Sequence, residues 1–144
     1  MELIELEQRI ARLEDIEAIK QLKALYCDIC DDLHNPERIA SVFAEDGIWE
    51  GGEFGQAKGH GAIRQLFAGF REQFSFSQHN ITNPIIEVDG DRATGVWYIM
   101  GPWTFAKNDK AIWMAAKYND DYVKIGGEWK YQHLRVEIRM SIAR

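Results

Sequence analysis

The sequence predicts an α+β domain in which three N-terminal helices pack on a curved, mostly antiparallel sheet. Two observations lead to this fold class. Apolar residues recur every three or four positions in the first part of the chain, and at about every second position after residue 75. Helices followed by strands are typical of a layered α+β domain rather than of a parallel α/β sheet. The 144 residues match the size of one domain, so we expect a single domain over residues 1–144.

The first helix is predicted from a long apolar stripe. Its members lie three or four residues apart, which fits the period of a helix and not that of a strand. We expect a break near Glu14 and Asp15. The stripe consists of Leu3, Leu6, Ile10, Leu13, Ile16, Ile19, Leu22, Leu25, Ile29 and Leu33.

Two shorter helices are expected next. Asn35 and Pro36 supply an N-cap and a proline at the first helical position, which predicts a second helix over residues 36–44. A glycine-rich loop follows over residues 51–61. After it, four apolar residues at helical spacing mark a third helix: Ile63, Leu66, Phe67 and Phe70.

Four extended runs make up the second half of the chain: residues 76–88, 93–105, 111–125 and 129–142. Turn residues of the Asp-Gly, Asn-Asp and Gly-Gly types separate these runs, which predicts hairpins and an antiparallel meander of consecutive neighbours. Strict alternation along the last run would place Leu134 and Val136 on one face, and Trp129, Tyr131 and Arg135 on the other.

Apolar side chains occupy both faces of the predicted sheet. In the second run Val96, Tyr98 and Met100 alternate with Trp97 and Ile99. A sheet that is apolar on both faces needs a cover on both. We therefore expect helices on one face and, on the other, a partner subunit or the sheet's own curl; the need for a cover favours a homo-oligomer.

Composition excludes several classes of protein. The net charge of −6, without a cluster of Lys and Arg, argues against a nucleic-acid partner. The acidic N-terminus lacks the features of a signal peptide and no apolar run reaches membrane-spanning length, so we expect a cytoplasmic protein without a membrane partner. Cys27 and Cys30 are expected to be reduced thiols. Because no pair of histidines or carboxylates has metal-ligand spacing, we expect no metal site.

Several segments carry a family resemblance. In chain order they are residues 13–26, Asp31, residues 42–46, 59–63, 79–84, 87–98 and 128–130. In their order and approximate spacing these segments resemble the SnoaL-like domains of the nuclear transport factor 2-like superfamily, over nearly the whole chain. The resemblance implies a cone-shaped α+β barrel around an apolar pocket that takes a small apolar ligand or substrate. It also implies a homo-oligomer, a dimer or trimer, that assembles through the sheet.

The resemblance also implies site residues. Within the superfamily the pattern is most similar to scytalone dehydratase, the bile acid 7α-dehydratase and the hexachlorocyclohexane dehydrochlorinase, in which a His–Asp pair promotes elimination. The catalytic histidine of that pattern falls on His79, the orienting aspartate on Asp31, with Asp32 as the alternative, and the helical tyrosine on Tyr26. The second pocket histidine of scytalone dehydratase has no counterpart in residues 93–105 or 111–125.

Substrate-binding residues are expected around this centre. The arginine of the last strand in these relatives matches Arg135 best, with Arg139 as the alternative. Three tryptophans are expected to contact a flat ring: Trp49, Trp97 and Trp113. Core packing is the competing interpretation for at least half of the aromatic residues of the strands.

The implied function is that of a cofactor-independent lyase, a dehydratase or related eliminase. A neutral histidine with a pKa near ~6.5 can remove a proton beside a carbonyl if a carboxylate fixes its tautomer, and no metal or cofactor is needed. Two alternatives stay open: an isomerase or cyclase using the same pocket, and a non-catalytic ligand-binding domain. In the ketosteroid isomerase branch of the superfamily, a carboxylate acts as the general base. Its position matches Gly51 in this sequence, and Glu50, one residue away, is expected to face away from the pocket, which weakens the isomerase interpretation. His34 and His60 lie in predicted loops and are expected at the surface.

Overall fold

The computed structural model describes residues 1–143, which form three helices and seven strands. The helices are α1 (Leu3–Asp31), α2 (Pro36–Ile39) and α3 (His60–Gln73). The strands are β1 (Phe43–Glu50), β2 (Gln56–Lys58), β3 (Phe74–Ser77), β4 (Ile81–Asp89), β5 (Arg92–Phe105), β6 (Ala111–Ile125) and β7 (Glu128–Ala143). The helices pack on a mixed, mostly antiparallel sheet, so the predicted α+β class is confirmed.

Helix α1 is continuous, and the break expected near Glu14 and Asp15 is wrong. Asp15 instead ties the helix to the sheet, because its carboxylate accepts hydrogen bonds from Trp129 Nε1 at 2.9 Å and from Lys124 Nζ at 3.0 Å. The second half of α1 is buried on one side, whereas most of its first four turns is exposed.

Helix α2 begins as predicted but ends early. The side chain of Asn35 accepts hydrogen bonds from the amides of Glu37 and Arg38, which caps the helix. A 3-10 turn follows over Ala40–Val42, and strand β1 begins at Phe43, so the helix expected to reach residue 44 is too long by one turn. The acidic residues and glycine of β1 conceal its strand character, because they break the apolar alternation of the segment.

The sheet order is β2-β1-β7-β6-β5-β3, and β4 also pairs with β5. The antiparallel meander β4–β5–β6–β7 is as predicted. Two strands were not predicted: β1 pairs parallel with β7, and β2 pairs antiparallel with β1. The run expected over residues 76–88 is divided, because residues 78–80 connect β3 to β4 along the same edge of β5.

A bulge in β7 overturns the predicted alternation of that strand. Asp121 pairs with His133, whereas Tyr122 pairs with Tyr131, so Gln132 is an extra residue. Trp129 and Tyr131 are consequently buried on the same face as Leu134, rather than on the opposite one.

The two faces of the sheet have different surroundings. Helices α1 and α3 cover the inner face and bury most of the core. The outer face is partly exposed and carries several large apolar residues: Tyr98, Met100, Trp113, Met140 and Ile142. None of the helices in the described part of the chain is long and apolar enough to cross a membrane.

Candidate active site

A small cavity lies between α1, α3 and the inner face of the sheet. Its volume is about 50 Å³, which is room for a few water molecules. Polar side chains of its wall include Tyr26, Cys30, His34 and His79. Aromatic rings form much of the rest, including Trp49, Phe67, Phe70, Phe74, Trp103 and Tyr118.

His79 and Asp31 meet at the wall of this cavity. Nδ1 of His79 lies 2.5 Å from Oδ1 of Asp31, and the backbone amide of His79 donates to both carboxylate oxygens at 3.1 and 2.9 Å. Ser77 Oγ donates to the same carboxylate at 3.3 Å. The side chain of His79 is 6% exposed. The predicted pair is therefore in hydrogen-bonding range, with Nε2 as the ring nitrogen left free.

Backbone contacts hold His79 in place. Residues 78–80 are bound to β5, because the amide of Gln78 donates to the carbonyl of Pro102 and the amide of Met100 donates to the carbonyl of Asn80. Gly101 makes this approach possible, since a Cβ at that position would lie 1.9 Å from the Gln78 carbonyl oxygen. The His79 ring also packs edge-on against Trp103, with centroids 4.9 Å apart.

Tyr26 reaches the cavity from the buried side of α1. Its hydroxyl accepts a hydrogen bond from Trp49 Nε1 at 2.8 Å. Burial raises the pKa of Tyr26 well above its usual value, so the phenol keeps its proton. Gly51 leaves room for the indole, because a Cβ there would lie 2.3 Å from the Trp49 ring. Tyr26 thus presents a neutral phenol at the cavity wall, where its hydroxyl also contacts Cys30.

His34 is buried and lines the cavity, so the surface position expected for it is wrong. The chain leaves α1 through two residues in the left-handed region, Leu33 at φ 50° and His34 at φ 48°, which turns the imidazole inward. The ring packs 6.2 Å from the His79 ring. Burial, followed by the nearby His79, lowers the pKa of His34 from 6.5 to about 3. The cavity therefore holds a second, neutral histidine that the sequence spacing did not reveal.

The two cysteines occupy different positions on α1. Cys30 lies in the cavity wall, whereas Cys27 is buried outside the lining. Burial is the main cause that raises the pKa of both thiols, to about 12 for Cys27 and well above the usual value for Cys30. Both are free thiols, as expected from the sequence.

The structure distinguishes between the two aspartates, and between the two arginines, that were alternatives for the site. Asp32 is exposed and pairs with Arg38 and Asn35, so Asp31 is the carboxylate that contacts His79. Arg139 lies on the outer face, 5.5 Å from the Tyr98 ring.

Three residues expected to bind substrate do not line the inner cavity. Trp97 is a core residue whose Nε1 donates to the Tyr122 hydroxyl at 3.0 Å. Trp113 lies on the outer face of the sheet, 39% exposed. Arg135 contacts Asp121 at 3.0 Å and His133 at 3.1 Å in an outer groove. The face of the sheet on which each of these residues lies depends on the alternation along its strand and on the bulges that interrupt it. Residue type alone does not reveal that face.

The outer groove adjoins the cavity. Four residues line both spaces: Phe54, Met114, Val136 and Ile138. Glu50 also lines the groove, where its carboxylate lies 2.9 Å from His133 Nε2. Glu50 therefore does not face the inner cavity, which agrees with its position one residue away from the carboxylate expected in an isomerase.

His60 is the first residue of α3 and is half-buried. Its Nε2 donates to the Phe43 carbonyl, away from the cavity.

A buried ion pair lies beyond the cavity wall. Lys23 Nζ is 2.8 Å from Asp120 Oδ2 and 3.3 Å from the centroid of the Tyr118 ring. The Tyr122 hydroxyl donates to the same carboxylate oxygen at 2.9 Å. No local sequence pattern predicts this pair, because 97 residues separate its members. Because the ion pair lies behind Tyr118, we assign it a structural role in supporting the cavity wall.

Comparison with known proteins agrees with this fold. The family model of the SnoaL-like domain matches residues 11–135. A hexachlorocyclohexane dehydrochlorinase from Novosphingobium barchaimii superposes with a TM-score of 0.86 at 22% identity, covering 94% of each chain. A candidate scytalone dehydratase from Novosphingobium aromaticivorans superposes with a TM-score of 0.83 at 23% identity, covering 92% of this chain and 89% of its own.

A third similar structure is a protein of unknown function from Mycobacterium tuberculosis, with a TM-score of 0.76 at 28% identity, covering 90% of this chain and 74% of its own. Among curated proteins, none matches the chain at a significant level by sequence. At these identities the structural matches establish the fold, and the chemistry has to be argued from the site.

Proposed function

Because the chain belongs to the SnoaL-like domain family, we propose that it is a cofactor-independent lyase that eliminates water or a halide from a small, apolar cyclic molecule. The observation that carries this proposal is the buried His79 ring, paired through Nδ1 with Asp31 at the wall of an apolar cavity. A dehydrochlorinase and a candidate scytalone dehydratase share the fold, which is consistent with such chemistry.

Proton removal is the first step. The Asp31 carboxylate favours the tautomer with the proton on Nδ1, so the lone pair of Nε2 is available to a substrate. Nε2 takes a proton from the carbon beside a carbonyl, and the electron pair of the broken C–H bond moves onto the carbonyl oxygen. Asp31 stabilises the imidazolium that forms. Such proton transfer contributes typically about 10²–10⁴-fold in rate.

Departure of the leaving group is the second step. The enolate electrons form the carbon–carbon double bond as the adjacent bond to hydroxyl or halide breaks. The imidazolium of His79 returns its proton to a departing hydroxyl, whereas a halide leaves as the anion and the proton passes to solvent. Tyr26 donates a hydrogen bond to the enolate oxygen or to the leaving group, because its phenol stays protonated in the buried site.

The cavity wall limits the substrate class. Aromatic rings and aliphatic side chains line a space of about 50 Å³, which is smaller than the roughly 150 Å³ cavity that holds a benzene ring, so an apolar ring would also occupy part of the adjoining outer groove. Arg135 stands in that groove and is proposed to contact a polar substituent there.

A substrate panel tests the proposal. Purified, chelator-treated protein is incubated with cyclic β-hydroxy ketones and β-halo ketones, and the unsaturated product is followed by its ultraviolet absorbance. We expect turnover that falls about 100-fold or more in His79→Gln and in Asp31→Asn. His60→Gln is the matched control, since His60 binds a backbone carbonyl away from the cavity and its loss leaves turnover unchanged.

Two other outcomes point to the alternatives. Exchange of the substrate α-proton with deuterium, without loss of the leaving group, indicates an isomerase or cyclase. Binding of the ketones with neither exchange nor product indicates a non-catalytic ligand-binding domain. Each outcome contradicts the lyase proposal.

A further inference from the structure

Three side chains with metal-binding atoms converge at one end of the cavity: Cys30, His34 and His79. One such atom from each residue lies within 4.8 Å of those of the other two. Cys30 and His34 are buried, and His79 is half-buried. The proposed lyase uses His79 alone, so the convergence of the other two is not explained by that function.

The backbone brings Cys30 and His34 to the same point. Cys30 lies in the last turn of α1, and the amide of His34 donates to the Cys30 carbonyl at 3.0 Å. The left-handed conformations of Leu33 and His34 close this turn without a glycine. Non-glycine residues in that region are uncommon and carry a conformational cost, which favours a specific reason for the position of the imidazole.

The His34 ring lacks the partners that a structural histidine has. It is 6% exposed and packs among Phe67, Phe70, Phe74 and His79. Within residues 1–143, no protein group forms a hydrogen bond with either ring nitrogen. Neither nitrogen is among the fully buried unpaired side-chain atoms of residues 1–143, so the unpaired nitrogens border free space, and His34 lines the cavity from which a ligand can reach them.

We propose that Cys30, His34 and His79 form a binding site for Zn²⁺, with one coordination position open to the cavity. Thiolate and imidazole are the ligands that Zn²⁺ prefers, and three protein ligands with an open fourth position are typical of zinc sites that bind water or substrate. At Zn–S and Zn–N distances of about 2.0–2.3 Å, small side-chain rotations bring the three atoms into a tetrahedral set.

The surroundings of the site complete this arrangement. Asp31 holds Nδ1 of His79 and leaves Nε2 for the metal, as a carboxylate behind a zinc-bound histidine does. The ion replaces the thiol proton of Cys30, which passes to solvent. The adjoining free space accommodates the fourth ligand.

Zinc binding has a consequence for the reaction. Nε2 of His79 is the atom that takes the proton in the proposed elimination, and a metal-bound nitrogen has no lone pair for that step. Resting on the proposed function, we infer that Zn²⁺ inhibits the lyase by occupying its base.

A cobalt titration tests the site without any substrate. Co²⁺ is added to the chelator-treated full chain, and the visible and near-ultraviolet spectra are recorded. We expect one equivalent to bind, with the intense visible bands of tetrahedral Co²⁺ and a thiolate-to-cobalt charge-transfer band, and we expect Zn²⁺ to displace it. Cys30→Ala should remove the charge-transfer band.

The chain supplies a matched control. Cys27→Ala removes a buried thiol from the same helix but outside the cluster, so the Co²⁺ spectrum should be unchanged. His34→Phe fits the surrounding phenylalanines and should weaken Co²⁺ binding by more than about 100-fold, beyond the loss typical of an outer-shell residue. Circular dichroism establishes that each variant is folded.

The outcomes separate the two proposals. A Co²⁺ spectrum without a charge-transfer band, or one that survives Cys30→Ala, overturns the zinc site whatever the enzyme assay gives. A cluster that binds Co²⁺ as expected in a protein without lyase activity supports the site and contradicts the proposed function. If turnover is found, one equivalent of Zn²⁺ should abolish it in the wild-type protein.

Discussion

Nδ1 of His79 lies 2.5 Å from the carboxylate of Asp31, although 48 residues separate them along the chain. Three donors converge on that carboxylate: the ring and the backbone amide of His79, and the hydroxyl of Ser77. Asp31 is therefore both the end of α1 and the anchor of the segment that carries the histidine. The geometry of this pair depends on the backbone as much as on the two side chains.

Gly101→Ala should disrupt the pair from a distance. The new Cβ would lie 1.9 Å from the Gln78 carbonyl oxygen, so residues 78–80 must move away from β5 and take His79 with them. We expect a loss of stability of about 1–3 kcal/mol and a loss of turnover. Denaturant unfolding and the elimination assay measure the two effects.

Gly69→Ala is the control for that substitution. Gly69 lies on the exposed side of α3, where a Cβ meets no atom within 4 Å, so alanine should stabilise the helix by up to about 1 kcal/mol and leave turnover intact. If both alanine variants behave alike, Gly101 does not position His79.

Lys23→Met should destabilise the protein strongly. It leaves the buried Asp120 carboxylate without its 2.8 Å partner, and removing one member of a buried pair typically costs about 3–5 kcal/mol. Arg38→Ala removes two exposed ion pairs, with Asp28 and with Asp32, and each should contribute less than about 1 kcal/mol. Denaturant unfolding compares the two variants.

A double substitution tests the reason for that loss. Lys23→Met combined with Asp120→Asn removes the uncompensated charge and should recover much of the stability. An equal loss in the single and double variants would indicate that packing of the lysine stem, rather than charge, dominates.

His34, which lies beside the His79–Asp31 pair, should make the stability of the protein depend on pH. The pKa of His34 is about 3 in the folded protein, because the ring is buried and faces His79, whereas the unfolded chain titrates near 6.5. Asp31 partly opposes this shift and Cys30 is uncharged. Between these values the unfolded state binds more protons, so the free energy of unfolding should fall as pH falls from 6.5 towards 3.

His34→Phe isolates this contribution. In chelator-treated protein the variant should show a shallower decrease over that pH range, by at most about 1.4 kcal/mol per pH unit, the value for one proton. Denaturant unfolding at several pH values measures the slopes. Parallel curves for the two proteins would mean that His34 does not titrate on unfolding.

The exposed outer face of the sheet predicts a homo-oligomer. Met100 is 56% exposed in the middle of that face. Met100→Glu places a charge there and should shift a dimer or trimer towards monomer in sedimentation velocity. Ile125→Glu, at the end of β6 beyond the apolar patch, should leave the sedimentation coefficient unchanged. A wild-type protein that is monomeric at all concentrations contradicts the prediction.

Local sequence patterns predicted much of the fold. The long alternating strands β5, β6 and β7 and the capped helix α2 follow from side-chain periods and from Asn35-Pro36. Strand β1 did not, because it pairs parallel with the distant β7 and interrupts its apolar residues with Glu45, Asp46 and Gly47. Non-local pairing of this kind leaves no periodic signal.

The site was predictable only in part. His79, Asp31 and Tyr26 came from the family resemblance; His79 and Tyr26 line the cavity, and Asp31 contacts His79. His34 could not be placed, because its inward direction depends on two consecutive left-handed residues that neither Leu nor His signals. Trp97 was expected in the cavity wall but packs in the core, since a tryptophan suits either position.

The most direct test of the central claim uses a generic carbon acid, 5-nitrobenzisoxazole, whose ring opens to a coloured phenolate when a base removes its C–H proton. If His79 and Asp31 form one base, chelator-treated protein should accelerate this elimination. Each of His79→Gln and Asp31→Asn should reduce kcat/KM by about 100-fold or more, and the double variant should be no slower than His79→Gln. An absence of acceleration, or rates unaffected by either substitution, would contradict the account.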